Sequence, residues 1–514
     1  MLPTDRWTRA LFAPALVFIA AGIDRNYQTD LWHHLARGRV IAAEGRLLDE
    51  DRFTYTVAGR PFQDANWLWQ VSHYGLYTLG GLPLVQTVNA AVLAAAMAVL
   101  VMHCRRRSGS LSAAAIVCII AFLGLWQFFL IRPQTFSFLF FVVLHAMLEA
   151  ARKRPRLLWL VPLLMALWAN VHGGFPVGLA LIGCYAAAAC FSERRAGGVN
   201  PLEKQGVHTP RSPRLPQSLR TAAPWALCLL AAVAETFINP YGWNVYRYVL
   251  HTSRTASGRG IDEWLPPGLD ILAGKMWVLS ILGLLVLLAR TGRRRTERRP
   301  RVVDLLLIAC FLPAACGSVR MVAWWLLVSA PLLTTLLADA WPRLKQLDAA
   351  TARPTAAAGL IVGVFVMAMV FSVPWLERCN PVFARPGRAH RTETDLQSVA
   401  DRLASVAPGG RVFTRFEWGE YIGWALAGRW KVFMDGRIEI FPDEVWAQYS
   451  AVTRGRADWE QLLDAHDVRW LLLDTGYHRD LLPVVEGPGR WQVVFRQGDA
   501  VLLARRGTDL ASAQ

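Results

Sequence analysis

Charge is scarce in this chain: Asp, Glu, Lys and Arg make up 18% of its 514 residues, against 54% hydrophobic. That scarcity excludes an ordinary soluble protein, because the apolar residues come in repeated runs long enough to cross about 30 Å of hydrocarbon. Cysteine is sparse too. Its eight copies are scattered, and Cys379 alone falls in a segment assigned outside the cytoplasm, so the sequence carries neither a disulfide framework nor zinc-ligand spacing. No internal repeat is evident and few charges lie inside the apolar runs, which disfavours a transporter or flippase built from inverted halves. Acidic residues are outnumbered, giving a formal net charge of +17. The excess does not indicate nucleic-acid binding: no binding motif accompanies it, and residues 376–514 hold 18 Lys/Arg against 19 Asp/Glu, a net of −1.

What is present is a polytopic pattern. Eleven apolar runs, at about 7–23, 82–103, 111–131, 134–150, 157–171, 174–191, 222–238, 276–290, 302–317, 321–338 and 355–374, read as spans. Basic clusters at 105–107, 152–156, 194–220, 290–301 and 343–353 mark every second connection as cytoplasmic. Counted with the N-terminus, the inner set holds about 25 Lys/Arg and the outer connections 12. Residues 1–23 lack a clear cleavage site after their apolar stretch, so they are expected to remain as a signal anchor. With an odd number of spans, the first loop and the C-terminus share the extracytoplasmic side. The expected division is a membrane domain over 1–375, including an external loop at 24–81, and an extracytoplasmic α/β domain over 376–514.

The first loop is too long and too reactive for a plain connector. Residues 24–77 carry seven carboxylates (Asp24, Asp30, Glu44, Asp49, Glu50, Asp51, Asp64), three histidines and several tryptophans. The stretch DLWHHLARGRVIAAE, 30–44, predicts an amphipathic helix with Asp30 at its start and Gly45 as its stop. A second, aromatic helix is expected over 66–77, and a polar turn leading into a short extended piece at 49–56.

Polar residues also gather at the outer ends of the spans: Arg132 and Gln134, Asn170 and His172, Glu235 and Asn239, Asp262 and Glu263, and Arg320. Ionisable groups at the hydrocarbon boundary are costly unless paired or turned into a polar cavity. Pro and Gly punctuate the same places, as in Asn239-Pro240-Tyr241-Gly242, and irregular backbone at that depth requires a protein- or water-lined cavity. The C-terminal part alternates candidate helices (394–406, 419–426, 441–452, 458–466) with short candidate strands (411–414, 431–434, 470–473, 491–496, 500–504), the pattern of a layered α/β fold.

An acidic residue just after the first span, opening a helix along the membrane, resembles the GT-C superfamily of integral membrane glycosyltransferases. The residues carrying the resemblance are Asp24 and Asp30 with LWHHLARGRVI, then RPQTFSFLFF, WANVHGGFPVGLAL and NPYGWNVYRYVL, with EWGEYIGW and KVFMDGR in the C-terminal part. The order of segments is similar to a bacterial branch related to polyprenyl-phosphate-dependent mannosyl and arabinosyl transferases, and Glu417-Trp418-Gly419 resembles an aromatic-acidic stretch of oligosaccharyltransferases. The resemblance implies a polytopic helical fold of about eleven spans, a sugar donor on a polyprenyl phosphate or pyrophosphate, a lipid, glycan or protein acceptor, an outward-facing site, and a first-loop carboxylate as general base: Asp30, with Asp24 the rival.

Glycosyl transfer needs a base for the acceptor proton and donors for the departing phosphate. Arg132 and Arg320 offer fork-shaped guanidiniums and His172 an imidazole for the second task, with interfacial snorkelling the alternative for the arginines. Asp30 is equally placed for a helix cap. Glu263 and Asp262 are candidates for the acceptor or a metal, and Asn239 for the pocket. His33 and His34, with Asp49 and Asp51, can be drawn as a divalent-metal set, although no cofactor is required by their spacing. Trp32 suits sugar stacking or an interfacial anchor. A non-catalytic member of the same scaffold, binding lipid or an assembly partner, fits the same residues.

Overall fold

A computed structural model of the chain describes residues 6–23, 30–191, 217–293, 300–350, 356–379 and 391–508. Asp24 lies outside the described residues.

The first half is helical. It comprises α1 (Arg6–Ile23), α2 (Asp30–Glu44), α3 (Trp67–Ser108), α4 (Leu111–Leu125), α5 (Gln134–Ala151), α6 (Val161–Val171), α7 (Pro176–Phe191) and α8 (Gln217–Thr236). Then follow α9 (Asn244–Gly258), α10 (Leu272–Arg293), α11 (Val302–Gly317), α12 (Val319–Ala340), α13 (Arg343–Ala350) and α14 (Ala356–Ser372). Helices lie over all eleven apolar runs. Among the described residues, five stretches are long and apolar enough to cross a membrane: Trp67–Ser108, Leu111–Phe128, Gln134–Ala151, Leu272–Gly292 and Val319–Ala340; six further apolar helices are shorter. α12 is the central post, packed against α3, α4, α10 and α11, and it buries residues on every face. An all-round apolar helix is what such a position demands.

The helix expected over 66–77 is present as the first segment of α3, set off from the following apolar run by a break. The chain runs on through a kink at Gly80 and Gly81, whose backbone leaves helical geometry, into the next apolar run. Glycine is the usual residue at such a break, since Gly81 takes φ +64°.

The C-terminal part forms a five-stranded sheet flanked by helices: α15 (Arg391–Val406), β1 (Gly410–Thr414), α16 (Phe416–Ala425), β2 (Trp430–Val432), α17 (Asp443–Thr453), α18 (Trp459–Ala465), β3 (Trp470–Asp474), α19 (Leu482–Glu486), β4 (Trp491–Gln497) and β5 (Ala500–Arg505). The strand order is β2-β1-β3-β5-β4; β2, β1 and β3 are parallel, and β5 and β4 close the sheet antiparallel. β3 is buried along its whole length, consistent with its run Trp-Leu-Leu-Leu-Asp.

The first loop joins this sheet. Thr54 bridges Val432 in parallel, Tyr55 N–H donates to Val432 O at 3.1 Å, and Val432 N–H donates to Phe53 O at 3.2 Å. The extended piece expected after 49 therefore covers the open edge of β2, whose unpaired backbone would otherwise invite another chain.

Candidate active site

α2 is the element that carries the site. It packs against α3 on one side and α16 on the other, so Leu31, Trp32, His34, Leu35, Ala36, Arg37 and Gly38 are all buried. The approach to α3 is close: a Cβ on Gly38 would lie 2.3 Å from Gln70 O.

Asp30, the first residue of α2, has its carboxylate in an ion pair. Its Oδ2 is 2.6 Å from Arg132 Nε, and Arg132 Nη1 donates to Glu263 Oε1 at 2.8 Å. Arg320 Nη2 donates to Glu263 Oε2 at 3.0 Å, with its guanidinium over the Trp264 ring at 4.9 Å. Asp30, Arg132, Glu263 and Arg320 thus form one chain of alternating charge drawn from α2, the α4–α5 connection, the 262–264 turn and α12. Sequence positions 30, 132, 263 and 320 meet because short breaks place each at a helix end: Pro133 opens α5, and Ser318, in extended geometry, separates α11 from α12. The 262–264 turn is pinned over the start of α12, Ser318 Oγ donating to Glu263 O at 3.0 Å and Val319 N–H to Leu265 O at 2.9 Å. Burial acts to raise the Glu263 pKa, but the Arg320 and Arg132 guanidiniums outweigh it and hold the carboxyl below its usual range.

His33, one helical turn after Asp30, faces α16. Its Nδ1 donates to Glu420 Oε1 at 2.8 Å, and Glu420 is 2% exposed. Burial, then His34 and the guanidiniums of Arg37, Arg437 and Arg132, pull the His33 pKa well below its usual value, so the ring is neutral. Asp30, His33 and Glu420 form the one His/carboxylate group among the described residues whose ligand atoms all lie within 4.8 Å of one another. The set drawn from spacing does not assemble. Asp51 is paired with Arg437, and Asp49 is exposed beside Arg46.

His34 belongs to a different network. Gln70 Nε2 donates to its Nδ1 at 3.0 Å and to Asp64, which Arg37 Nη1 meets at 2.7 Å. This buried set fixes α2 on α3. Trp32 is 5% exposed, edge-on to Tyr421 at 5.0 Å and beside Trp424 at 6.0 Å, so it packs the seam with α16 and presents no face to a sugar. Asn239 is absorbed by backbone, its Nδ2 donating to Ala169 O at 2.8 Å and its Oδ1 accepting from Tyr241 N–H at 2.9 Å. Asp262 is exposed. His172 accepts at Nδ1 from Gly174 N–H at 3.1 Å and lies 2.7 Å from Ser137 Oγ, which in turn accepts from Trp168 Nε1. With Nδ1 an acceptor, Nε2 carries the proton and is a donor.

Glu420 was not singled out by sequence reasoning. The acidic residue noticed in EWGEYIGW, Glu417, pairs with Arg415 at 3.0 and 3.1 Å instead, and Glu420, one turn further along α16, turns to α2. In KVFMDGR, Arg437 ion-pairs with Asp51 and with Asp435, at 2.6 Å for the latter, and stacks over Phe62 at 5.0 Å. The signal for both was only that these short motifs are polar between apolar strands.

No protein-family model matches the chain, and no curated protein sequence matches it. Solved structures do. The apo oligosaccharyltransferase of Archaeoglobus fulgidus superposes with a TM-score of 0.54 at 13% identity, over 98% of this chain and 74% of that one. Archaeal AglB from the same organism, in complex with an inhibitory peptide and a dolichol-phosphate, gives 0.54 at 12%, over 91% and 69%. At these identities the likeness is one of fold: the chain has a GT-C fold, that of a multi-pass membrane protein.

Proposed function

We propose that the chain is a membrane glycosyltransferase that moves a sugar from a polyprenyl-phosphate or pyrophosphate donor to an acceptor at the extracytoplasmic face. The observation that carries this reading is the chain Asp30, Arg132, Glu263, Arg320: two carboxylates alternating with two guanidiniums, all at one end of an apolar bundle. The dolichol-phosphate held by the AglB neighbour is chemistry of the same kind. The charge bias of the connections supports an orientation with this end and the sheet domain outside and the N-terminus inside.

In the reaction, Asp30 takes the proton of the acceptor as the acceptor's oxygen or nitrogen bonds to the anomeric carbon. The bond from that carbon to the phosphate oxygen breaks, and the electron pair leaves with the phosphate. Arg132, Arg320 and the Nε2–H of His172 stabilise the charge that collects there. Arg132 has a second task. By pairing with Asp30 it orients the carboxylate, so base and anion site share one guanidinium.

The test is Asp30→Asn in the purified full chain, reconstituted in nanodiscs with polyprenyl-phosphate sugars and a panel of acceptors. Transfer is expected to fall by about 10²- to 10⁴-fold, as for loss of a general base, with polyprenyl-phosphate binding retained. Transfer at the wild-type rate would remove Asp30 from the reaction.

A further inference from the structure

We propose that one face of α9 rests on the lipid headgroups, where Arg247 and Arg254 bind the phosphates of acidic phospholipids, while its other face holds the sheet domain. The contact stands whether or not the chain transfers sugar.

Three observations carry it. First, the connection between α8 and α10 has a charge that topology does not account for. The proposed orientation sets it outside, where the bias of membrane insertion leaves few basic residues. Yet from Phe237 to Ile261 it holds three arginines and neither Asp nor Glu. Arg259 is engaged by the sheet domain: it donates to Ile438 O, to Phe441 O at 2.6 Å and to Asp443 Oδ1 at 3.0 Å, and lies over the Trp446 ring at 4.9 Å. Arg247 and Arg254 are exposed and make no hydrogen bond or ion pair with the described residues.

Second, the two free arginines lie on an apolar stripe. At about 100° per residue, Trp243, Arg247, Leu250, Arg254 and Ser257 fall within about 40° of one line along the helix, and all five are exposed. Trp243 is 63% exposed and Leu250 51%, so bare apolar surface and unpaired cations share one face. The stripe continues the end of the apolar helix α8, where Ile238 is 64% exposed and Phe237, Trp243 and Tyr246 stack ring on ring at 5.8 and 5.4 Å. Aromatic rings gathered at the end of such a helix mark the boundary between hydrocarbon and headgroups. Trp243 and Leu250 enter that boundary, and the arginines, one turn away from them, reach the phosphates.

Third, the opposite side of α9 is already occupied. Tyr248 OH donates to Glu439 Oε1 at 3.2 Å, and His251 Nε2, from the flank, donates to Glu439 O at 3.2 Å. With Arg259 these contacts grip the 438–443 turn. A headgroup held by Arg247 and Arg254 therefore steadies the sheet domain through α9.

The experiment reconstitutes the full chain in phosphatidylcholine nanodiscs, with and without phosphatidylglycerol, and reads amide hydrogen exchange by mass spectrometry. Phosphatidylglycerol is expected to slow exchange across 244–259 and across 438–443, the effect fading at high salt. Arg247→Gln combined with Arg254→Gln is expected to abolish the slowing, each arginine near an acidic surface being worth about fivefold. Arg247→Lys with Arg254→Lys keeps the charge and most of the slowing, and Arg479→Gln, at an exposed site of the sheet domain, leaves it unchanged. Melting of each variant in neutral discs separates loss of lipid contact from misfolding. Slowing confined to the basic inner connections, or equal in wild type and the double glutamine variant, overturns the proposal. So does slowing across 244–259 that follows polyprenyl phosphate in neutral discs and not phosphatidylglycerol, which would make the stripe a donor contact.

Discussion

At the scale of single residues, Glu263 is the one whose role the sequence left most open and the structure constrains most. It pairs with the two guanidiniums to which the proposed function assigns the donor phosphate, and its side chain is 26% exposed beside Arg320 at 29%. The two arginines are balanced by Asp30 and Glu263, so an incoming phosphate must compete with a resident carboxylate. An ion pair this open to solvent is worth about 1 kcal/mol or less. Glu263→Gln is therefore expected to tighten polyprenyl-phosphate binding, by no more than about fivefold, whereas Arg320→Gln weakens it. Affinity measured by titration of the full chain in nanodiscs checks both signs. A looser complex in Glu263→Gln would mean that the carboxylate's value lies in spacing the guanidiniums. Residue type and place single out both arginines in the sequence; that they share Glu263 was not legible, because nothing local links 132, 263 and 320.

At the scale of elements, α2 was legible to the residue. Its ends at Asp30 and Glu44 follow from an acidic start, an apolar stripe and Gly45, which adopts φ +68°. The C-terminal strands were legible as short apolar runs, each within a residue or two of its observed bounds. Less legible was which face of α2 would be used, since it is buried on two sides by partners from α3 and α16. Trp32 and His34 looked like surface or ligand residues for that reason. The close approach at Gly38 makes the geometry testable. With Gln70 backbone in the way of a Cβ, Gly38→Ala must push α2 off α3, and overpacking of this kind costs about 1–3 kcal/mol. The shift would also carry Asp30 away from Arg132. The expected result is a lowered unfolding midpoint together with weaker transfer, against little change for Gly75→Ala, which has open space on the same side of the fold. A Gly38→Ala protein of wild-type stability would show that α2 is held loosely.

At the scale of the whole molecule, the division into an apolar bundle and a neutral α/β part was readable from charge and hydropathy, because membrane insertion imposes both patterns on the sequence directly. The seam between the two parts was not readable. It is made of pairs hundreds of residues apart: Arg437 with Asp51, Arg39 Nη2 donating to Trp424 O at 2.8 Å, and Arg259 Nη2 donating to Phe441 O at 2.6 Å. Only the fold brings them into contact. The Arg437–Asp51 pair is the most enclosed of these, the side chains being 2% and 0% exposed. Removing one partner of a buried ion pair leaves an uncompensated charge and costs about 3–5 kcal/mol, more than the pair itself contributes. Arg437→Met is therefore expected to be strongly destabilising, since it strands both Asp51 and Asp435. Asp51→Asn in the same chain should recover part of the loss, and the double-mutant cycle, measured by denaturant unfolding, isolates the coupling across the seam. If the two substitutions are additive, Arg437 is held by Asp435 within its own turn, and the first loop and sheet domain rely on the β-bridge at Thr54 and on the Glu420 contact to stay together.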